Sequence, residues 1–125
     1  MIRGIGTDIV EIARIAKALG RHGEHFSDYI LTDHEQLESA SRGDRDQYIA
    51  GRWAAKEAVA KALGCGFGAK CSWRDIEIRN NPAGAPEIIL RDTALATMKE
   101  RKIRRFFISI SHERGHAIAT AVAEG

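Results

Sequence analysis

AGRWAAKEAVAKALG, residues 50–64, decides the fold. Alanine recurs through it and Gly51 is its one interior glycine, so its helical propensity is high. Asp44 and Asp46 stand before it, at the end where a helix is positive. Gly64, Gly66 and Gly68 follow it as a stop and a flexible loop. The pattern predicts one long helix from Asp44 to Leu63 at the centre of the chain. On a 3.6-residue period Ala50, Glu57, Lys61 and Gly64 share one stripe. An acid and a base thus lie one turn apart between two of the smallest residues, which leaves room for a ligand. The same spacing also describes a solvated Glu–Lys pair, worth about 0.2–0.5 kcal/mol and no more.

Toward the N-terminus, residues 2–9 read as a strand ending at Asp8. Residues 11–20 suit a helix, with Ile12, Ile15, Ala16 and Leu19 at helical spacing and Gly20 or Gly23 to end it. Residues 25–31 carry no clear period. Thr32 or Asp33 caps a short polar helix reaching about residue 42. Toward the C-terminus, residues 73–79 alternate as a strand, with Trp73, Asp75, Glu77 and Arg79 on one face and Ile76 and Ile78 on the other. Asn80-Asn81-Pro82-Ala83-Gly84 is a turn before a strand at 86–90. A helix at 92–102 precedes a closing hairpin of 105–112 and 116–124. The order β-α-α-α-β-β-α-β-β predicts an α+β fold. It is one domain over residues 1–125, a mostly antiparallel sheet with a long central helix.

Composition bounds the function. Apolar residues at 44% and charged residues at 29% describe an ordinary globular chain, and a net charge of +2 is too small to argue for nucleic acid. The start, MIRGIGTDIVEI, has no apolar signal core, and no apolar run approaches the roughly 20 residues that span a bilayer. Cys65 and Cys71 are the only cysteines and form no metal-ligand quartet. The expectation is a reduced, cytoplasmic protein without membrane or nucleic-acid partners.

Asp8 invites a chemical reading, because Ile5-Gly6-Thr7 and Ile9-Val10 surround it. A carboxylate among isoleucines needs a partner or a metal, unless it caps the helix that starts near Glu11. Asp8 and Glu57 together cannot fill a coordination sphere. That suits magnesium, which keeps several waters and binds through one or two carboxylates plus substrate phosphates. Lys61 and Arg52 are then available for phosphate charge. The loop Gly64-Cys65-Gly66-Phe67-Gly68 lets backbone amides approach a phosphate, although it also reads as a plain helix stop and lacks the GK[ST] of a P-loop. His112 ends an apolar row of Phe106, Ile108 and Ile110, while Ser109 and Ser111 face the other way, so no Ser–His nucleophile is indicated. Arg14, Lys17 and Arg21 share one face of the first helix, and KERKIRR (99–105) is a second basic cluster. Each is a solvated face or a dock for an acidic surface.

Three stretches occur together: GIGTDIVEIARI (4–15), RWAAKEAVAKALG (52–64) and SISHERGHAIATAVAE (109–124). Their order and spacing resemble holo-[acyl-carrier-protein] synthases, the small 4'-phosphopantetheinyl transferases. The resemblance covers nearly the whole chain, including the turn with Gly84 and Pro86. It implies transfer of 4'-phosphopantetheine from coenzyme A to a serine of apo acyl carrier protein, with release of 3',5'-ADP, in fatty acid and lipid biosynthesis. It implies magnesium held by Asp8 and Glu57, with Lys61 facing the coenzyme A pyrophosphate, and Asp8, Glu57 and Lys61 as the catalytic set. Glu57, directly or through a water on the metal, is the base. The implied cofactor-binding set is Arg52, Lys61, Gly64, Gly66, Pro86 and His112, with Arg52 and His112 at the nucleotide end. Arg14 and Arg21 match arginines that dock the carrier protein. The resemblance further implies a homotrimer with its site between subunits. Ala85 departs from the pattern, standing where many relatives carry lysine. A non-catalytic binding module and a coenzyme A-dependent acyltransferase are the competing readings.

Overall fold

The computed structural model describes every residue, Met1–Gly125. The chain runs β1 (Ile2–Glu11), α1 (Ile12–His22), α2 (Glu24–Ile30), α3 (Asp33–Ala40), α4 (Arg45–Leu63), a 3-10 turn at Trp73–Asp75, β2 (Ile76–Asn80), β3 (Pro86–Leu90), α5 (Asp92–Glu100), β4 (Arg105–Glu113) and β5 (His116–Glu124). The α+β class holds, and the predicted order gains one helix, α2, before the second strand. All pairing is antiparallel, in one sheet ordered β1-β5-β4 and a separate β2–β3 hairpin.

Side-chain size explains how α4 lies on the three-stranded sheet. Alternation along the strands puts Gly4, Gly6, Asp8 and Val10 of β1 on one face, beside Ala117, Ala119, Ala121 and Ala123 of β5. The helix answers with Ala54, Ala55, Ala58 and Ala62, all buried. Glycine under alanine lets the backbones nearly touch: a Cβ on Gly4 would stand 2.0 Å from the Ala62 carbonyl oxygen. The opposite sheet face is bare and exposes large apolar side chains among Thr7, Ser109 and Thr120, with Ile5, Ile9, Phe107 and Ile118 exposed by 68%, 62%, 50% and 42%.

A buried ion pair fastens the other side of α4. Lys56 and Glu35 have no exposed side-chain surface, and their charged atoms lie 2.6 Å apart. Lys56 Nζ also donates to the carbonyls of Ile30 and Trp73. Glu35 accepts from Thr32 N and Ile78 N, and the Thr32 hydroxyl donates to Glu77. Every member is satisfied, which is the condition for tolerating charge in a core. Removing one partner of such a pair costs about 3–5 kcal/mol. The network holds α3, the 3-10 turn and β2 against the helix turn that carries Glu57.

Several expectations need correction. β1 does not end at Asp8: it continues to Glu11, and Asp8 sits opposite Ala119 inside the ladder. Glu11 is the N-cap of α1, without a side-chain cap bond, so the capping reading of Asp8 falls. The helix passes Gly20 and stops at Gly23, whose φ of 57° suits glycine. Residues 25–31 fall largely in α2, which is too short for a period to show. Trp73–Asp75 is a turn instead of strand, because Ser72 and Asp75 cap it reciprocally and Asp75 also accepts from Thr93 and Ala94. Glu77, on the face opposite Ile76 and Ile78, is also buried, against Thr32 and Arg79. The turn before β3 is closed by Asn81, whose Oδ1 accepts from the amides of Ala83 and Ala85.

Candidate active site

Asp8 and Glu57 belong to different elements and meet because of the glycines. With Gly4 and Gly6 pressed under α4, the next residue on that face of β1, Asp8, reaches the helix edge where Glu57 and Lys61 emerge. Lys61 does not pair with Glu57 as an isolated helix would have it. Its Nζ donates to the Thr7 carbonyl at 2.9 Å and to Asp8 Oδ1 at 3.4 Å. Asp8 Oδ2 is buried and has no partner.

The electrostatics of the pair follow from that geometry. Burial raises the Asp8 carboxyl above the usual range, and Lys61 and Arg14 offset this only in part. Burial also raises the Glu57 carboxyl, and the Asp8 charge beside it pushes the same way. Two carboxylates that repel each other and leave an oxygen unsatisfied are a donor pair that a cation would suit. No group of three or more His, Cys, Asp or Glu side chains gathers to hold a metal unaided. The donor set therefore fits an ion that takes the rest of its ligands from water and phosphate, as magnesium does.

A second group of site residues lines a cleft of about 200 Å³ that includes Arg42, Tyr48, Arg52, Asn80, Pro86 and His112. Arg52, Pro86 and His112 are thus brought together as expected. His112 is seated against Gly51: a Cβ there would come within 2.7 Å of His112 Nε2. That explains the glycine inside an otherwise alanine-rich helix. Arg52 is 7% exposed and reaches Asn80 Oδ1 at 3.3 Å and Glu38 and the Ile78 carbonyl at 3.5 Å. Its Nε has no partner, and neither has the buried Tyr48 hydroxyl. These two atoms and Asp8 Oδ2 are all the orphaned buried side-chain polar atoms in the chain. They mark two places, and both are places where sequence motifs fall.

The two places are apart. Asp8 is on edge strand β1 and His112 on the opposite edge strand β4, with β5 between them. Gly64 and Gly66 do not form an amide cradle. The amides of Gly64, Cys65 and Gly66 all turn back to the Ala60 carbonyl, and Arg101 crosses Gly64 to reach the Leu63 carbonyl. The helix-end carbonyls take those donors, so the loop is a helix stop. Arg14 lies near enough to act on Asp8, whereas Arg21 is exposed in the last turn of α1. Within KERKIRR, Arg105 is paired with Glu124, while the one acid of the cluster, Glu100, pairs with Lys70 from outside it. Sequence reasoning missed Tyr48 and Arg42. The only available signal was Tyr48 four residues before Arg52, on the same helix face.

Comparison with known proteins places the chain in a family. Residues 4–121 match the model of the 4'-phosphopantetheinyl transferase superfamily. A holo-[acyl-carrier-protein] synthase of Shewanella amazonensis is 45% identical over 121 residues, 97% of each chain. The crystal structure of the Neisseria meningitidis holo-[acyl-carrier-protein] synthase superposes with a TM-score of 0.95 at 40% identity, covering 100% of both chains. The Helicobacter pylori enzyme of that name, crystallised in complex with coenzyme A, superposes with a TM-score of 0.85 at 39% identity over 96% of this chain and 99% of that one. Sequence motif, fold and full-length relatives converge, and the chain belongs to the 4'-phosphopantetheinyl transferase superfamily.

Proposed function

We propose that the chain moves 4'-phosphopantetheine from coenzyme A to a serine hydroxyl of apo acyl carrier protein and releases 3',5'-ADP. The observation that carries the chemistry is the carboxylate pair of Asp8 and Glu57, one oxygen of it buried and unpartnered, with the Lys61 ammonium at its side. The relatives' names and the coenzyme A complex of the Helicobacter pylori enzyme support the choice of donor and acceptor.

Asp8 and Glu57 would hold magnesium, which, when bound, offsets negative charge on the pyrophosphate. In the transfer the serine oxygen bonds to the phosphorus that carries pantetheine, the bond from that phosphorus to the departing 3',5'-ADP breaks, and the hydroxyl proton leaves. Glu57 is the group to take that proton, because burial and the Asp8 charge raise its carboxyl above the usual carboxylate range and make it a better base. Lys61 stands within reach of Asp8 and supplies positive charge where the pyrophosphate oxygens come in. No covalent enzyme intermediate is needed. Arg52, Pro86 and His112 take the nucleotide end. Arg14 and Arg21, both exposed on α1 with Arg14 next to Asp8, dock the acidic carrier protein.

The same geometry supports the homotrimer that the family resemblance implies. The carboxylate pair and the cleft lie toward opposite edges of one sheet, and that sheet's outer face leaves Ile5, Ile9, Phe107 and Ile118 exposed. A homotrimer covers the face and brings the cleft of one copy to the carboxylates of the next. No helix is long and apolar enough to cross a membrane, and both cysteines are free, which suits a cytoplasmic setting. The decisive experiment is mass spectrometry of apo carrier protein incubated with the chain, coenzyme A and magnesium. A phosphopantetheine mass gain with 3',5'-ADP as by-product is expected. An unchanged carrier, or an acyl adduct with free coenzyme A, would refute the assignment.

A further inference from the structure

Tyr48 is the most unusual wall residue of the cleft. Its ring carries two guanidiniums, Arg42 at 5.1 Å and Arg52 at 4.5 Å from the centroid. Its hydroxyl is buried without a partner, and the neighbouring orphan is a donor of one of those same arginines, Arg52 Nε. Burial raises the phenol well above its ordinary value, so the hydroxyl keeps its proton and can donate. A buried donor left unpaired is costly, and two adjacent ones in one cleft wall are rarely tolerated without a reason. An acceptor that arrives with the ligand supplies one. The arginines are not free to wander: Arg42 is held by Asp44, and Arg52 by Glu38 and Asn80. The Tyr48 ring completes both tethers, so the two forks stay side by side at the cleft.

We propose that Tyr48 is a positioning residue that sets the cleft's preference for a nucleotide bearing a phosphate monoester, by holding Arg42 and Arg52 together and offering its own hydroxyl beside Arg52. A phosphate monoester fits because it is doubly charged and has enough lone pairs to satisfy several converging donors at once. Coenzyme A carries such a group on its ribose, and 3'-dephospho-coenzyme A is the same molecule without it. The inference rests on the proposed function, in which this cleft takes the nucleotide end.

The test is equilibrium binding of both ligands to the full chain, with turnover measured in parallel. Wild type is expected to prefer coenzyme A over the dephospho form by about tenfold or more. Tyr48→Phe keeps the ring and loses the hydroxyl, so it weakens coenzyme A several-fold and leaves the dephospho form as it was. Tyr48→Leu removes the ring as well and brings the preference close to one. A ratio unchanged in Tyr48→Phe and Tyr48→Leu overturns the inference, and so does equal weakening of both ligands, which marks a role in packing alone. Should Tyr48→Leu fail to fold, the ratio in Tyr48→Phe decides. Wild type that turns over coenzyme A without preferring it to the dephospho form removes this inference and leaves the transferase reading standing. Wild type that binds neither ligand removes both.

Discussion

Gly6 of β1 lies so close beneath α4 that a Cβ on it would stand 2.0 Å from the Ala58 carbonyl oxygen. Backbone meets backbone there, so no rotamer change can relieve the contact. Gly6→Ala must separate strand and helix, and overpacking of this kind costs about 1–3 kcal/mol. The same separation moves Asp8, two residues on, away from Glu57. The variant should therefore melt earlier in a thermal scan and lose more transferase activity than its residual folded fraction explains. Full specific activity in the folded variant would show that the spacing of the two elements does not set the carboxylate pair.

Asp8 is a group that the fold holds at its own expense. A carboxyl whose pKa is higher in the fold than in the unfolded chain lowers stability as pH rises through the folded value, because the unfolded chain releases the proton more readily. At neutral pH the Asp8 charge is thus a cost, and its long contact to a half-exposed Lys61 returns little. Asp8→Asn should raise the melting temperature slightly while lowering transfer by about 100-fold or more, the scale for loss of one preorganised electrostatic group. Magnesium with coenzyme A should raise the melting temperature of wild type and leave that of Asp8→Asn nearly unmoved. Full activity of the variant at limiting magnesium would remove Asp8 from the metal site.

How much of this the sequence reveals depends on the length scale of each signal. The central helix is legible because 19 residues of alanine-rich chain with glycines behind them have one local solution. Asp8 is legible as a misplaced charge. Its true setting is not, since strand length is fixed by β5, more than 100 residues away, and a partner that distant leaves no local mark. The run at Trp73–Asp75 alternates like a strand, and the Ser72–Asp75 capping together with the tertiary bonds from Thr93 and Ala94 to Asp75 makes it a turn. Gly51 looks like a weak point in the helix until His112 of β4 is found pressed against it. The glycine loop misleads in the other direction: its composition permits an amide cradle, and the carbonyls ending the helix claim the amides first.

Acid stability should depend on Glu77. Burial alone would raise its carboxyl, but the Thr32 hydroxyl, Arg79 and Arg91 more than offset that and bring it to about 2. A carboxyl lowered in the fold contributes stability above its unfolded value near 4.5, and that contribution drains away as pH falls through the folded value near 2. Urea titrations of wild type should show stability falling across that window. Glu77→Gln keeps the shape and loses charge-assisted hydrogen bonds, so it should be less stable at neutral pH by about 1.5–3 kcal/mol, with a flatter acid limb. Parallel acid limbs in the two proteins would place the titration elsewhere.

Gly51 and His112 offer a case where stability and function should part. Alanine is favoured over glycine inside a helix by about 1 kcal/mol, and the new methyl would meet only the tip of a side chain, at 2.7 Å from His112 Nε2. The imidazole can swing away where a backbone could not. Gly51→Ala should therefore fold as well as wild type or better, and the histidine should leave its place in the cleft wall. Loss of one hydrogen bond of ordinary strength, about 1 kcal/mol, weakens binding about fivefold, so KM for coenzyme A should rise by that order. The cause is separable by a double-mutant cycle with His112→Ala. If the methyl acts through the imidazole, the second substitution adds little to the first. If the two effects add in full, His112 is not what the methyl displaces, and the glycine serves helix packing instead.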